Sequence, residues 1–110
     1  MTEQNGLRWF EIVPGIRRCT MAADKRMMQI KVELDAGARL PEHSHSNEQI
    51  TYLVSGRLRF VIDGVPREVA PGETVMLPGD VPHAVEALEP SLAIDTFSPP
   101  REDMLAQDRQ

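Results

Sequence analysis

Three histidines and one glutamine carry the strongest chemical signal in this sequence, because imidazole nitrogens and amide oxygens can bind divalent metal ions. His43 and His45 are separated by one residue, Gln49 follows four residues later, and His83 lies in a distant segment. In an extended segment, residues i and i+2 point to the same face, so His43 and His45 should project side by side. An uninterrupted strand would keep Gln49 on that face as well. The pattern favours a metal site, while hydrogen-bonded or surface histidines remain the alternative at this point.

The elements that must position these residues read as a succession of short extended segments, each ended by Gly, Pro or Asp. Residues 27–34 are the clearest, because apolar side chains at 28, 30, 32 and 34 alternate with polar ones, as in a half-buried strand. The predicted extended segments are residues 18–22, 27–34, 50–54, 57–62, 67–69, 74–77, 83–87 and 92–97. His83 begins one of them, and a barrel could bring it opposite the first two histidines.

The turns and the chain end complete the fold prediction. Asp63-Gly64 between two alternating runs predicts a tight β-hairpin. Residues 101–107 are predicted to be helical, because Pro99-Pro100 precedes them and proline suits the start of a helix. Many short strands with frequent turns indicate a sandwich or barrel. We therefore predict one all-β domain over residues 1–110, with a core at about 16–98 and a short C-terminal helical tail.

Composition and charge narrow the possible partners. The 110 residues carry a net charge of −5 and no block of Lys or Arg, which argues against nucleic acid and against an anionic membrane surface. Cys19 is the single cysteine, and the sequence shows neither a secretory signal nor a long apolar span, so a cytoplasmic protein is expected. A chain of this length should leave Met28, Ile30 and Val32 poorly covered, which predicts a homodimer formed through a sheet face or edge.

The spacing around the first two histidines matches a known motif. Gly37 is followed after five residues by His43-Ser44-His45, after three more by Gln49, and after six more by Gly56. In every spacing this resembles the first motif of the cupin superfamily, with Gln in the place usually held by Glu. The resemblance implies a double-stranded β-helix, or jelly-roll barrel.

A second cupin-like motif follows after fifteen residues, with Gly72, Pro78 and His83 at the family's spacing. It departs from the usual pattern at Asp80, where a second glycine is common, and at Ala87, where asparagine is frequent. Gly79 is expected to supply the conformational freedom that the missing glycine would give. Neither departure affects a residue of the implied metal site.

The resemblance implies one divalent metal ion held by His43, His45, Gln49 and His83, with open positions for a small molecule. Three neutral imidazoles suit Zn, Ni, Mn, Fe or Cu. Gln in place of Glu leaves the site one charge more positive, which favours an anionic ligand and a stronger Lewis acid. A cupin without metal, using the same residues for hydrogen bonds, is the alternative.

A second constellation lies near the chain end. Asp95 and Phe97 share a strand face by the period-two rule, together with Ala93, whereas Leu92 and Ile94 occupy the other face. An unpaired buried carboxylate is costly, so an acidic residue on an inward face favours a functional role. Arg101 follows Pro99-Pro100, and arginine is well shaped to bind a carboxylate with two hydrogen bonds. A surface Asp–Arg pair with Phe97 in the core is the alternative.

Residues 43–52 together with residues 95–103 resemble one cupin subfamily, the pectin- and alginate-degradation cupins that linearise 4,5-unsaturated uronates. That resemblance implies a metal-dependent isomerase acting on a small anionic sugar in polysaccharide breakdown. It places Asp95, Phe97 and Arg101 in the sugar pocket, with Asp95 handling a proton and Arg101 binding the sugar carboxylate. Two other functions stay open, a cupin dioxygenase and a metal- or sugar-binding cupin without catalysis. A site for oxygen activation should be lined mostly by apolar residues, whereas Asp95 and Arg101 favour a polar anionic substrate.

Overall fold

The computed structural model describes residues 2–4 and 7–110 of the chain, with side chains for 7–110. These residues form strands that alternate with tight turns, followed by one short helix. The strands are β1 (Thr2–Gln4), β2 (Leu7–Val13), β3 (Ile16–Ala23), β4 (Met28–Leu34), β5 (Arg39–His43), β6 (Glu48–Ser55), β7 (Leu58–Ile62), β8 (Val65–Val69), β9 (Thr74–Leu77), β10 (His83–Ala87) and β11 (Ser91–Ser98), and the helix is α1 (Glu102–Asp108). No helix in the described part of the chain is long and apolar enough to span a bilayer.

Two antiparallel sheets enclose the core. The larger has seven strands in the order β1-β2-β3-β4-β11-β6-β9, and the smaller has four in the order β5-β10-β7-β8. The predicted all-β cupin barrel with a short C-terminal helix is confirmed. Buried residues also lie outside the range 16–98, among them Trp9 and Phe10 on β2 and Met104 on α1.

The alternating sequence pattern decides which side chains face the interior. Along β4, every second residue is buried, beginning with Met28 and ending with Leu34. Met28, Ile30 and Val32 are therefore 1%, 1% and 6% exposed, and the expectation that they are poorly covered is wrong. The barrel closes over their face because the smaller sheet packs on it.

The tight hairpin predicted at Asp63-Gly64 is confirmed. These two residues join β7 to β8, and the register pairs Ile62 directly with Val65. Asp63 and Gly64 both adopt positive φ, 50° and 81°. A two-residue hairpin loop with both residues at positive φ matches the right-handed twist of the flanking strands.

One strand that carries a site residue, β5, was not predicted from the sequence, and β8 of the same sheet was predicted too short. β5 contains Pro41, which has no backbone N–H donor, and proline in a sequence is more typical of a turn than of a strand. Its position at the edge of the four-stranded sheet tolerates the proline, because one side of an edge strand needs no partner. β8 likewise contains Pro66 at the other edge, and it begins two residues before the predicted segment 67–69.

Helix α1 is held on the barrel by Arg18, whose side chain is completely buried. Its guanidinium donates to Asp108 Oδ1 at 2.8 Å, to Gln107 Oε1 at 2.7 Å and to the Met104 carbonyl at 3.0 Å. Thr20 on the same strand donates to Asp108 Oδ2 at 2.6 Å. These bonds fix the C-terminal segment against β3. The observed helix begins one residue later than predicted.

Candidate metal centre and ligand pocket

The three histidines converge at one end of the barrel. His43 ends β5 and His83 begins β10, and the antiparallel register of these strands places the two residues directly opposite each other. Their ring centroids are 4.3 Å apart, and those of His45 and His83 are 5.1 Å apart. One ring nitrogen from each histidine lies within 4.8 Å of the other two, so the three together could hold a metal ion.

Backbone carbonyls fix the tautomers of all three rings. The Nδ1 atoms of His43, His45 and His83 lie 2.9, 3.0 and 2.9 Å from the carbonyl oxygens of Pro41, Asn47 and Val81. A carbonyl only accepts, so each Nδ1 carries the proton and each Nε2 keeps a free lone pair. Burial lowers the pKa of His45 and of His83, which favours the neutral form that binds a metal.

Gln49 supplies a fourth donor atom to this cluster. The strand does not run uninterrupted from His45 to Gln49, because residues 44–47 form a loop between β5 and β6. Gln49 nevertheless points inward and is buried, whereas Glu48 and Ile50 face outward as expected. Its Oε1 atom lies 3.1 Å from His45 Nε2.

The donor set fits a divalent cation. His45 Nε2 and Gln49 Oε1 both present lone pairs, which repel each other unless a positive charge lies between them. His83 Nε2 is buried and has no hydrogen-bond partner among the described residues. A buried acceptor without a partner is costly, and a bound cation removes that cost.

The turn after β9 positions the histidine loop, although not as expected from the sequence. Asp80 itself adopts a positive φ of 67°, so the prediction that Gly79 supplies the conformational freedom is wrong. Gly79 is needed for a different reason, because a Cβ there would lie 2.5 Å from the Ser46 carbonyl oxygen. The Asp80 amide then donates to the His45 carbonyl at 2.8 Å, which holds the loop on this turn.

Asp95 faces the same cavity from β11, together with Ala93 and Phe97, as the alternation predicts. Thr51 donates its hydroxyl hydrogen to Asp95 Oδ1 at 2.7 Å, and Gln49 Nε2 donates to Thr51 Oγ1 at 3.0 Å. Burial raises the pKa of Asp95 to about 6, despite the opposing hydrogen bonds and the charge of Arg101. Asp95 is thus an acidic group beside the candidate metal site.

Arg101 lies just before α1 and reaches over the ring of Phe97, with its guanidinium carbon 5.2 Å from the ring centroid. It makes a two-point contact with Asp103, Nε to Oδ1 at 3.1 Å and Nη2 to Oδ2 at 2.9 Å. Arg101 is mostly buried, whereas Asp103 is largely exposed. No hydrogen bond or ion pair joins Arg101 to Asp95 in the described structure, so the alternative of a surface Asp–Arg pair does not hold.

A cavity of about 180 Å³ joins these residues. Its polar walls are His43, Gln49, Thr51, His83, Asp95 and Arg101. Apolar side chains line the rest and extend into the barrel as far as Ile16 and Leu34, which lie opposite each other in the β3–β4 register. The volume is below the range of roughly 300–1,000 Å³ typical of drug-sized ligands, which favours a small molecule.

Two residues of this site were not predicted from the sequence. Thr51 carried a usable signal, because it lies two residues after Gln49 and therefore shares its inward face. Asn47 carried none, because it lies in a loop. The Nδ2 atom of Asn47 donates to the carbonyl oxygens of Pro99 and Pro100 at 2.7 and 3.1 Å. The backbone carbonyl oxygen of Asn47 accepts from His45 Nδ1. Asn47 therefore joins the histidine loop to the segment that leads to Arg101.

Comparisons with known proteins agree with this geometry. Residues 30–97 match the family model described as the cupin domain. The pectin degradation protein KdgF of Dickeya dadantii is 35% identical over 99 residues, which cover 88% of this chain and 90% of that protein. The structure of KdgF from Halomonas sp. superposes with a TM-score of 0.84 at 38% identity, covering 88% of this chain and 90% of that chain. An RmlC-like cupin from Shewanella frigidimarina has a TM-score of 0.87 at 29% identity, covering 94% and 93% of the two chains.

Proposed function

This chain is a member of the cupin family, and from that premise we propose that it linearises 4,5-unsaturated uronate monosaccharides released during the breakdown of acidic polysaccharides such as pectin. The observation that carries the proposal is the convergence of the histidine cluster, Asp95 and Arg101 on one small cavity. The likeness to two KdgF proteins, one named for pectin degradation, supports the substrate class.

We propose His43, His45, Gln49 and His83 as the ligands of one divalent ion. Three neutral imidazoles and a neutral amide leave the full charge of the ion in place, so the centre attracts an anionic substrate. When bound, the metal supplies positive charge that stabilises a substrate oxygen as the ring opens.

The reaction needs one proton to move and no redox partner. The substrate is a cyclic hemiacetal with a C4=C5 double bond and a carboxylate at C6. When the bond between C1 and the ring oxygen breaks, the C1 hydroxyl loses its proton and becomes an aldehyde. The ring oxygen stays on C5 as an enolate oxygen, and addition of the proton at C4 converts C5 to a ketone. The product is therefore an isomer of the substrate.

Asp95 is the group proposed to transfer that proton. It is the sole carboxylate among the described residues that line the cavity. The hydrogen bond from Thr51 fixes one carboxylate oxygen. The other oxygen is left to accept the proton of the C1 hydroxyl or to donate a proton to C4. Asp95 therefore combines a fixed orientation with a position beside the proposed metal ligands.

Arg101 and Phe97 are proposed to hold the sugar. Arg101 offers a planar pair of donors for the C6 carboxylate, with Phe97 beneath it as a flat surface for the ring. In the structure these donors contact Asp103, another carboxylate, and this contact supports the proposed binding of a sugar carboxylate. Binding substrate would replace or share that contact.

The apolar inner part of the cavity keeps a cupin dioxygenase as the second candidate, because such a site should be lined mostly by apolar residues. The same cavity also carries the carboxylate of Asp95 and the guanidinium of Arg101, however, and these charged groups favour the uronate.

The deciding experiment is incubation of the purified, metal-loaded protein with unsaturated uronate, following the loss of the alkene absorbance. We expect the loss to be faster than the spontaneous reaction, without oxygen consumption. A rate equal to the spontaneous one would refute the isomerase. Binding of the sugar without turnover would indicate a binding cupin, and oxygen uptake would indicate the dioxygenase.

A further inference from the structure

Thr51 connects the proposed metal ligand Gln49 to Asp95. Gln49 and Thr51 are two residues apart on β6 and share its inward face, and Asp95 lies directly opposite Thr51 in the register of β11 with β6. Thr51 is only 2% exposed. Its hydroxyl has one contact on each side, Gln49 Nε2 at 3.0 Å and Asp95 Oδ1 at 2.7 Å.

The direction of these hydrogen bonds follows from what each group can donate. An ionised carboxylate only accepts, so the single hydroxyl hydrogen of Thr51 goes to Asp95. The oxygen of Thr51 can then only accept from position 49. An amide meets that requirement with its NH2 group, and its carbonyl oxygen is left pointing at His45. A carboxylate at position 49 has no hydrogen to donate.

We propose that Thr51, held by Asp95, is the positioning residue that selects an amide over a carboxylate at position 49 and turns its oxygen toward the histidines. Thr51 and Asp95 together thereby determine the net charge of the metal centre. Position 49 carries a neutral amide because the Thr51 oxygen must accept a hydrogen bond from it. The carboxylate of this site is on Asp95. The inference rests on the proposed function in taking Gln49 as a metal ligand.

A set of three variants, compared with wild type, tests the hydrogen-bond direction in the metal-free protein at neutral pH. Gln49→Glu places two carboxylates around one hydroxyl hydrogen, and we expect the melting temperature to fall by about 4–12 °C. Asp95→Asn should change it little, because an amide oxygen also accepts from Thr51. The exchanged variant, Gln49→Glu with Asp95→Asn, reverses the direction of both hydrogen bonds. The amide at position 95 then donates to Thr51, and Thr51 donates to the carboxylate at position 49. This variant should regain at least roughly half of the loss.

A second pair of variants tests Thr51 itself through metal affinity. Thr51→Val keeps the shape and removes the hydroxyl, and we expect the affinity for Zn²⁺, measured by competition with a chelator, to fall about 10–100-fold. Thr51→Ser keeps the hydroxyl and should stay within about threefold of wild type. Thr96→Val is the matched control, because Thr96 is the next residue along β11 from Asp95 and faces outward.

The outcomes separate this inference from the proposed function. If Gln49→Glu melts like wild type, or if the exchanged variant is no more stable than Gln49→Glu, the inference is wrong. It is also wrong if Thr51→Val binds Zn²⁺ as tightly as Thr51→Ser. If wild type converts no uronate but the exchanged variant regains stability over Gln49→Glu, the inference stands and the isomerase is refuted. The exchanged variant should bind metal and be inactive, since Asp95 is gone.

Discussion

At the scale of single residues, the proposed site assigns metal binding and proton transfer to different side chains. The histidines present Nε2 lone pairs because their Nδ1 hydrogens are engaged by backbone carbonyls. Asp95 is close to them but is turned toward Thr51. Because the two proposed tasks rest on different side chains, we expect substitutions to remove one and spare the other.

We predict that the purified protein carries about one divalent metal ion per chain and that His45→Ala or His83→Ala lowers the occupancy sharply. Each substitution removes one of three clustered imidazoles. Elemental analysis of the dialysed proteins measures this directly. His43, His45 and His83 are all the histidines of the chain, so no other imidazole can compensate. Undiminished metal in a variant that combines His45→Ala with His83→Ala would rule out this metal site.

Asp95→Asn should slow uronate turnover by about 10²–10⁴-fold while the metal stays bound. The amide keeps the shape and the bond to Thr51 but cannot accept and return a proton. The measurement is the initial rate on unsaturated uronate, with metal content checked in the same samples. Equal rates for wild type and Asp95→Asn would make Asp95 a structural residue.

Arg101→Ala should mainly raise KM, by the equivalent of about 2–5 kcal/mol, because a sugar carboxylate loses its paired donors. Arg101→Lys should recover only part of the lost affinity, since a point charge cannot make the two-pronged contact.

Asp103→Asn tests the same contact from the other side. Asp103 competes for Arg101 as an exposed partner, worth at most about 1 kcal/mol, so its removal should lower KM by up to about fivefold. A higher KM in Asp103→Asn would instead make Asp103 part of the carboxylate site.

At the scale of elements, the pocket is assembled from both sheets and the chain end. β5 and β10 bring His43 and His83, β6 and β11 bring Gln49 and Asp95, and the segment before α1 brings Arg101. Met104 of α1 also lines the cavity. The contacts that dock α1 are therefore expected to influence substrate binding as well as stability.

We predict that Arg18→Met destabilises the protein by about 3–5 kcal/mol, because it leaves the acceptors on Asp108, Gln107 and Met104 without their common donor. Thermal or denaturant unfolding measures the loss, and KM for uronate should rise as Arg101 loses its support. Arg17→Met is the matched control on the same strand. Its side chain is partly exposed and pairs with Glu33, so it should cost at most about 1 kcal/mol. Equal losses for the two variants would contradict this role of Arg18.

At the scale of the whole molecule, a contiguous apolar patch lies on the outer face of the seven-stranded sheet. Ile50, Tyr52 and Val54 of β6 are 40%, 44% and 40% exposed, and Met76 of the neighbouring β9 is 55% exposed. Ile50 and Met76 are partners in the register, so these side chains are contiguous. The homodimer remains a prediction, and this face replaces Met28, Ile30 and Val32 as its basis.

We expect Tyr52→Glu or Met76→Glu to shift the protein from dimer to monomer at micromolar concentration, because a charge in an apolar contact is costly to bury. Light scattering of the purified variants gives the mass. Val65→Glu is the control, since Val65 is 65% exposed on β8 of the other sheet and should leave the dimer intact. Wild type that scatters as a monomer refutes the dimer, and dissociation by Val65→Glu would move the interface to the smaller sheet.

The sequence by itself determined the features that depend on near neighbours in the chain. The alternation in residues 28–34 fixed the inward face of β4, and Asp63-Gly64 fixed the hairpin, since a two-residue turn restricts its own dihedral angles. The cupin-like spacing indicated which four side chains should converge. The inward direction of Asp95 and Phe97 followed from the same period of two.

Only the tertiary structure decided which neighbours these side chains meet. A period of two assigns a face but not the adjacent strand, so the placement of Thr51 opposite Asp95 required the β6–β11 register. Asp103 as the partner of Arg101 and Asn47 as the link to Pro99 arise from loop paths that no periodicity encodes. Met28 is buried because a second sheet packs over its face, and sheet packing is set by contacts between residues far apart in the chain.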